Sequence, residues 1–179
     1  MGYKLLVIFN IILLIAVAGL VYFYPKTSKP RVLEGQTWTA VQKGDKYLLS
    51  VKNHSELATA VISFAKAQKI KAATIYGIGA VNSATLRFFD PATRKYIDKT
   101  FDEQMEISNL TGNIATQEGS ELIHLHITLG QKDYRALAGH LLSANINGAG
   151  EFVIDTLPGI SAEKIFDEKI GLNFYDFKK

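Results

Sequence analysis

Glu121-Leu122-Ile123-His124-Leu125-His126-Ile127-Thr128-Leu129 alternates with a period of two. Successive side chains of a strand point to opposite faces. Ile123, Leu125, Ile127 and Leu129 therefore share one face, and His124, His126 and Thr128 the other. One apolar face and one polar face is the signature of an antiparallel strand packed on a core from a single side. Residues 130–137 read as a loop and residues 138–146 as the next strand. If that loop is a hairpin centred on Asp133, His140 falls opposite His126, and directly opposed residues share a face.

Three imidazoles gathered in this way suit a zinc-class cation, which takes nitrogen ligands at about 2.0–2.1 Å. Positions i and i+2 of a strand lie about 6.6 Å apart and can aim at one point. Three protein ligands leave the fourth position open, as in catalytic sites. The competing reading is plainer: His124 and His126 as two solvated histidines on the water face of a half-buried strand. Glu106, in an otherwise apolar stretch, is the candidate general base beside such a metal. It reads equally as a hydrogen-bonded structural carboxylate or a partner for Arg87 or Arg135. Ser108, Asp133 and Arg135 are further polar candidates. No Walker loop, zinc-protease helix or Ser-His-Asp order is present. Gly77 and Gly79 form a Gly-x-Gly pair without the third glycine or the following helix of a dinucleotide loop.

The rest of the soluble part reads as strands joined by turns. Residues 37–42 and 46–51 flank Lys43-Gly44-Asp45, a hairpin signal. Residues 56–68 carry apolar positions at helical spacing, with Asn53 or Ser55 as N-cap. Strands follow over 70–78, 84–89, 95–101 and 104–110, with Asp90-Pro91 as a turn. Asn147-Gly148 is a hairpin turn signal between strands 138–146 and 151–157. Ser161 is placed to cap a short helical turn, and residues 172–177 form a last strand. One helix against many hairpin-linked strands is an α+β domain on a mainly antiparallel sheet.

The N-terminus is of another kind. Residues 5–24 are apolar except for Asn10 and Gly19, and 20 helical residues span about 30 Å, the thickness of a bilayer core. They read as a transmembrane anchor, or as a signal peptide with Ala16-Val17-Ala18 as the cleavage pattern. This divides the chain into an anchor or signal over 1–24, a linker and first strand over 25–44, and a domain over 45–179. Its 47% hydrophobic and 21% charged residues place the chain in the globular class. No cysteine is present, which excludes disulfides and thiolate zinc sites. The net charge of +3 is not gathered into a stripe for nucleic acid.

Taken together, several motifs resemble the PPC family, also called DUF296. They are Gly77-Ile78-Gly79-Ala80-Val81, Phe89-Asp90-Pro91 with Tyr96, and Glu106-Ile107-Ser108-Asn109-Leu110-Thr111-Gly112-Asn113-Ile114-Ala115. His124-Leu125-His126, Leu129-Gly130, Gly139-His140-Leu141 and Glu151-Phe152-Val153-Ile154 continue the match in order. It covers roughly residues 45–177. The resemblance implies an α+β fold, a homotrimer, and a divalent metal, zinc above all, held by His124, His126 and His140 near a subunit boundary. In that case the three rings need not converge within one chain. It also implies a DNA-binding description, which in plants accompanies AT-hooks. This chain has no Arg-Gly-Arg-Pro hook, so minor-groove binding has no visible instrument, and Ala138 stands where the family usually has a glycine. With the N-terminal segment, the expectation is a membrane-anchored or exported bacterial protein. Its domain lies on the non-cytoplasmic side and acts as a trimeric binding or interaction module. The alternatives are a metal-dependent enzyme on a small molecule and a DNA-binding protein.

Overall fold

The structure is a computed structural model describing residues 29–177. The segment over 5–24 lies outside the described residues. Among the described residues no helix is long and apolar enough to cross a membrane. The elements are β1 (Arg31–Glu34), β2 (Trp38–Lys43), β3 (Lys46–Val51), α1 (Leu57–Gln68), β4 (Ala73–Asp90), β5 (Lys95–Phe101), β6 (Met105–Gln117), β7 (Ser120–Gly130), β8 (Ala136–Thr156), β9 (Lys164–Asp167) and β10 (Leu172–Tyr175). The first eight strands form one antiparallel sheet, and β9 and β10 a separate hairpin.

The alternation decides the layers. Leu125, Ile127 and Leu129 of β7 are buried with Ile75, Leu110, Ile114, Ile146 and Ile154 of the neighbouring strands. Leu57, Val61 and Phe64 of α1 cover this inner face and are fully buried. Phe64 meets Trp38 and Tyr47 edge-on, with centroids at 5.0 and 5.1 Å, a favoured aromatic geometry. The helix is capped by Glu56, not by Asn53 or Ser55. Its carboxylate accepts from the N–H groups of Ala58 and Thr59 at 2.9 and 2.6 Å and from Ala144 N–H at 3.1 Å. One acid thus satisfies two orphan donors of the helix and ties it to β8. Asn53 is used elsewhere, accepting from Gly148 N–H.

The sequence reading divides β4 and β8 where the chain does not. Each is a single long strand, of 18 and 21 residues. β4 carries register shifts at Gly77/Gly79 and beyond; a bulge bends a strand without ending it. At Asn147-Gly148 the chain kinks, with Gly148 at φ +121°, and stays in the ladder instead of turning back. A Cβ at Gly77 would collide with the Glu151 carbonyl and one at Gly79 with the Ala149 carbonyl. The glycine pair serves the close approach of β4 to β8. Residues 31–34, inside the expected linker and first-strand region of 25–44, form β1 ahead of the strand expected at 37–42 and extend the sheet. Around Ser161 there is no helical turn but an extended run into β9.

The long strands let the sheet close on itself, since β4 pairs with β6, β6 with β7, β7 with β8 and β8 with β4. One row of opposed residues winds across the outer face. It runs Asp98, Arg87, His140, His126, Thr111, Tyr76, Val153, Leu48, Val41, Val32. His140 and His126 are the third and fourth residues of this row.

Candidate metal centre

The β7–β8 turn sets the site. Gln131 N–H donates to Arg135 C=O and Tyr134 N–H to Gln131 C=O, both at 2.8 Å, with Tyr134 at φ +64°. The Asp133 carboxylate accepts from Arg135 N–H at 3.2 Å and from its Nε at 2.6 Å. From Gly130↔Ala136 the ladder runs without a shift to His126↔His140. The hairpin centred on Asp133 is therefore present, and it places the two rings opposite each other. His124 stands one pleat further along the same face, opposite Asn113 of β6.

The three rings converge within one chain. Their centroids are 5.2, 4.9 and 5.6 Å apart, and one nitrogen from each lies within 4.8 Å of the other two. A tetrahedral cation with bonds of 2.0–2.1 Å would want its nitrogens about 3.4 Å apart, a closure within reach of small side-chain rotations. Among the described residues none of the three imidazoles takes a hydrogen-bond partner. Their nitrogens are thus not committed to carbonyls or carboxylates. Desolvation lowers His124 to about 4, helped by Lys164, His140 and His126. Desolvation likewise lowers His140, with His126 and Arg87 acting in the same direction and Asp98 opposing. Both stay neutral at pH 7, the form that binds metal. The donor set fits a zinc-class ion.

Around the rings is a cleft of about 490 Å³. Arg87, beside His140 in the row, is held by Asp98 through Nε and Nη2 at 2.7 and 2.8 Å and lies 4.5 Å from the Tyr96 ring centroid. Lys164 comes from β9 and is 4% exposed. Its Nζ donates to Asn113 Oδ1 at 2.8 Å and lies 4.9 Å from the Tyr175 ring centroid. Burial pushes its pKa down. The C-terminal hairpin is moored to β6: Thr116 N–H donates to Ala162 C=O, and the Glu163 carboxylate accepts from Thr116 Oγ1 at 2.5 Å and Glu118 N–H at 2.8 Å. Apolar walls come from Phe89, Leu122, Ile123 and Leu172.

Glu106 does not line this cleft. It lies opposite Gly130, four residues from His126 along β7, or about 13 Å. Ser108 lies beside Gly130, and Asp133 and Arg135 pair with each other at the hairpin tip. Arg87 was legible only as a partner for an acid, and that acid is Asp98. Lys164 escaped the sequence reading, because nothing in the spacing of residues 158–177 shows that this segment folds back over the histidines.

Gly112 guards the geometry. It lies beside β7, and a Cβ there would collide with the His124 carbonyl. Gly112→Ala is expected to destabilise the chain by roughly 1–3 kcal/mol, the usual effect of overpacking, and to weaken metal binding by displacing His124. Urea denaturation followed through Trp38 fluorescence checks this; an unchanged midpoint would show that β6 and β7 yield without cost.

A model of the Plants and Prokaryotes Conserved (PCC) domain matches residues 39–158. Comparison with curated proteins gives no match. Among solved structures, a candidate DNA-binding protein from Bacteroides thetaiotaomicron is 49% identical, with a TM-score of 0.78 over 80% of this chain and 100% of that one. A metal-containing protein from Archaeoglobus fulgidus is 32% identical, with a TM-score of 0.69 over 74% of this chain and 93% of its own. A plant- and prokaryote-conserved (PPC) protein from Pyrococcus horikoshii is 26% identical, with a TM-score of 0.70 over 82% and 99% of the two chains.

Proposed function

This chain belongs to the Plants and Prokaryotes Conserved (PCC) domain family, and from that premise we propose that it is a metal-binding module whose open coordination position faces a small-molecule cleft. The observation that carries this is the convergence of His124, His126 and His140, whose nitrogens take no hydrogen bond among the described residues. The metal-containing relative from Archaeoglobus fulgidus supports it. When bound, a zinc-class ion would supply a Lewis-acidic site for one oxygen or nitrogen of a ligand. His124, His126 and His140 would hold it; Lys164 and the apolar walls would shape what approaches. Titrating the metal-stripped full-length chain with zinc should show saturation at one equivalent, and no uptake would remove the reading. Glu106 lies away from the cleft, so an enzymatic role would need another proton acceptor.

The module works as a homotrimer tethered at the membrane through residues 5–24, with its domain on the non-cytoplasmic side. Self-association is supported by the outer-face row, where Val32 and Leu48 are 75% and 64% exposed and Tyr76 50%. Val41 and Val153 stand between them in register, making an apolar stripe that runs towards the histidines. Exposed apolar stripes of this kind mark contact surfaces. Leu48→Glu should convert the trimer to monomer in sedimentation velocity. A trimer unaffected by that charge would place the contact elsewhere.

DNA binding is a second reading, carried by the relative from Bacteroides thetaiotaomicron. It requires an affinity that falls steeply with salt, and no measurable affinity at low salt would remove it.

A further inference from the structure

Among the described residues Lys164 is a buried cation without an anion. Its side chain is enclosed, its Nζ donates to the neutral amide of Asn113, and it lies 4.9 Å from the Tyr175 ring centroid. No described carboxylate lies within ion-pair distance of its Nζ. Burying an unpaired charge costs several kcal/mol, so folds retain one where a partner arrives from outside. Here the outside is the histidine cleft. Asn113, which holds the ammonium, stands directly opposite His124. Among the described residues the lining contains Arg87, Lys164 and the three histidines but no aspartate or glutamate. Arg87 is already neutralised by Asp98, which leaves Lys164 as the cation open to a guest.

We propose that the cleft binds a small organic carboxylate, which pairs with the Lys164 ammonium and reaches the metal position held by His124, His126 and His140. The proposal rests on the metal reading above and names the ligand class for the same site. Lys164 lies on β9, beyond the residues matched by the family domain, so the selectivity belongs to the C-terminal hairpin. A carboxylate fits better than a phosphate. Phosphate sites gather several N–H donors or a helix N-terminus, whereas this one offers a single ammonium and walls of Phe89, Leu122 and Leu172. A guest with an apolar body would cover those walls.

The test is calorimetry on the zinc-loaded full-length chain with benzoate, its neutral isostere benzamide, and inorganic phosphate. Benzoate should bind saturably and at least tenfold more tightly than either of the others. Lys164→Met should weaken benzoate at least tenfold while zinc stoichiometry holds and the thermal midpoint stays or rises, because the variant removes an uncompensated buried charge. Equal binding of benzoate and benzamide, or phosphate binding more tightly than benzoate, overturns the proposal whether or not the variant folds. So does a folded Lys164→Met chain that binds benzoate like the parent. Zinc uptake without benzoate binding defeats this inference alone; absence of zinc uptake defeats the metal reading and this one with it.

Discussion

Phe64→Ala is expected to destabilise the chain by roughly 3–5 kcal/mol, the range for truncating a buried aromatic. Phe64 is fully buried at the centre of α1 and has Trp38 and Tyr47 against its ring. Three effects add. Apolar area is lost from the core, the space is refilled only in part, and two edge-to-face pairs, each worth about 0.5–1.5 kcal/mol, disappear. Collapse is limited because Trp38 is tied to Ser63 and belongs to a strand paired on both sides. The midpoint of urea unfolding measures the effect. A loss below about 1 kcal/mol would mean that α1 does not hold the inner face of the sheet as described. Leu48→Glu, on the outer face, should leave the stability of the isolated fold nearly unchanged, and the contrast separates core from outer face.

His126→Ala is expected to weaken metal binding by more than roughly 100-fold, beyond the 10–100-fold typical of losing an outer-shell partner. The rings of His124 and His140 would remain 4.9 Å apart at their centroids, but two nitrogens do not close a site. The metal-free chain should also show a pH signature. His124 titrates near 4 in the fold and near 6.5 when unfolded. Between those values the unfolded chain binds a proton that the folded chain refuses, so stability falls as pH drops from 6.5 towards 4. His140 is shifted in the same direction. Thermal melts in chelator at pH 7 and pH 5 should differ, and His124→Gln should reduce the difference. A metal-free chain equally stable at both values would contradict the desolvation of these rings.

The fold was legible where a single physical rule governs. Period-two alternation over residues 121–129 gives β7 its two faces, and the symmetry of 126 and 140 about Asp133 gives the register that brings their rings together. It was not legible where two rules compete. Asn147-Gly148 has the chemistry of a hairpin turn, but the ladder to β3 and β4 on either side carries β8 straight through, and Gly148 absorbs the kink. Glu56 outcompetes Asn53 and Ser55 as cap because its two oxygens reach the helix N–H groups while one also reaches Ala144. The site divides in the same way. Its three histidines lie on adjacent paired strands and could be read from spacing. Lys164 reaches them from more than 20 residues downstream through the mooring of β9 on β6, which no local pattern encodes.

The convergence of three imidazoles on one cation is the claim on which the rest depends. Anomalous diffraction at the zinc edge, from crystals of the full-length chain grown with zinc, tests it most directly. One strong peak per chain is expected, about 2.0–2.1 Å from a nitrogen of each of His124, His126 and His140. Zinc bound only at other side chains, with these three rings turned away from one another, would contradict it.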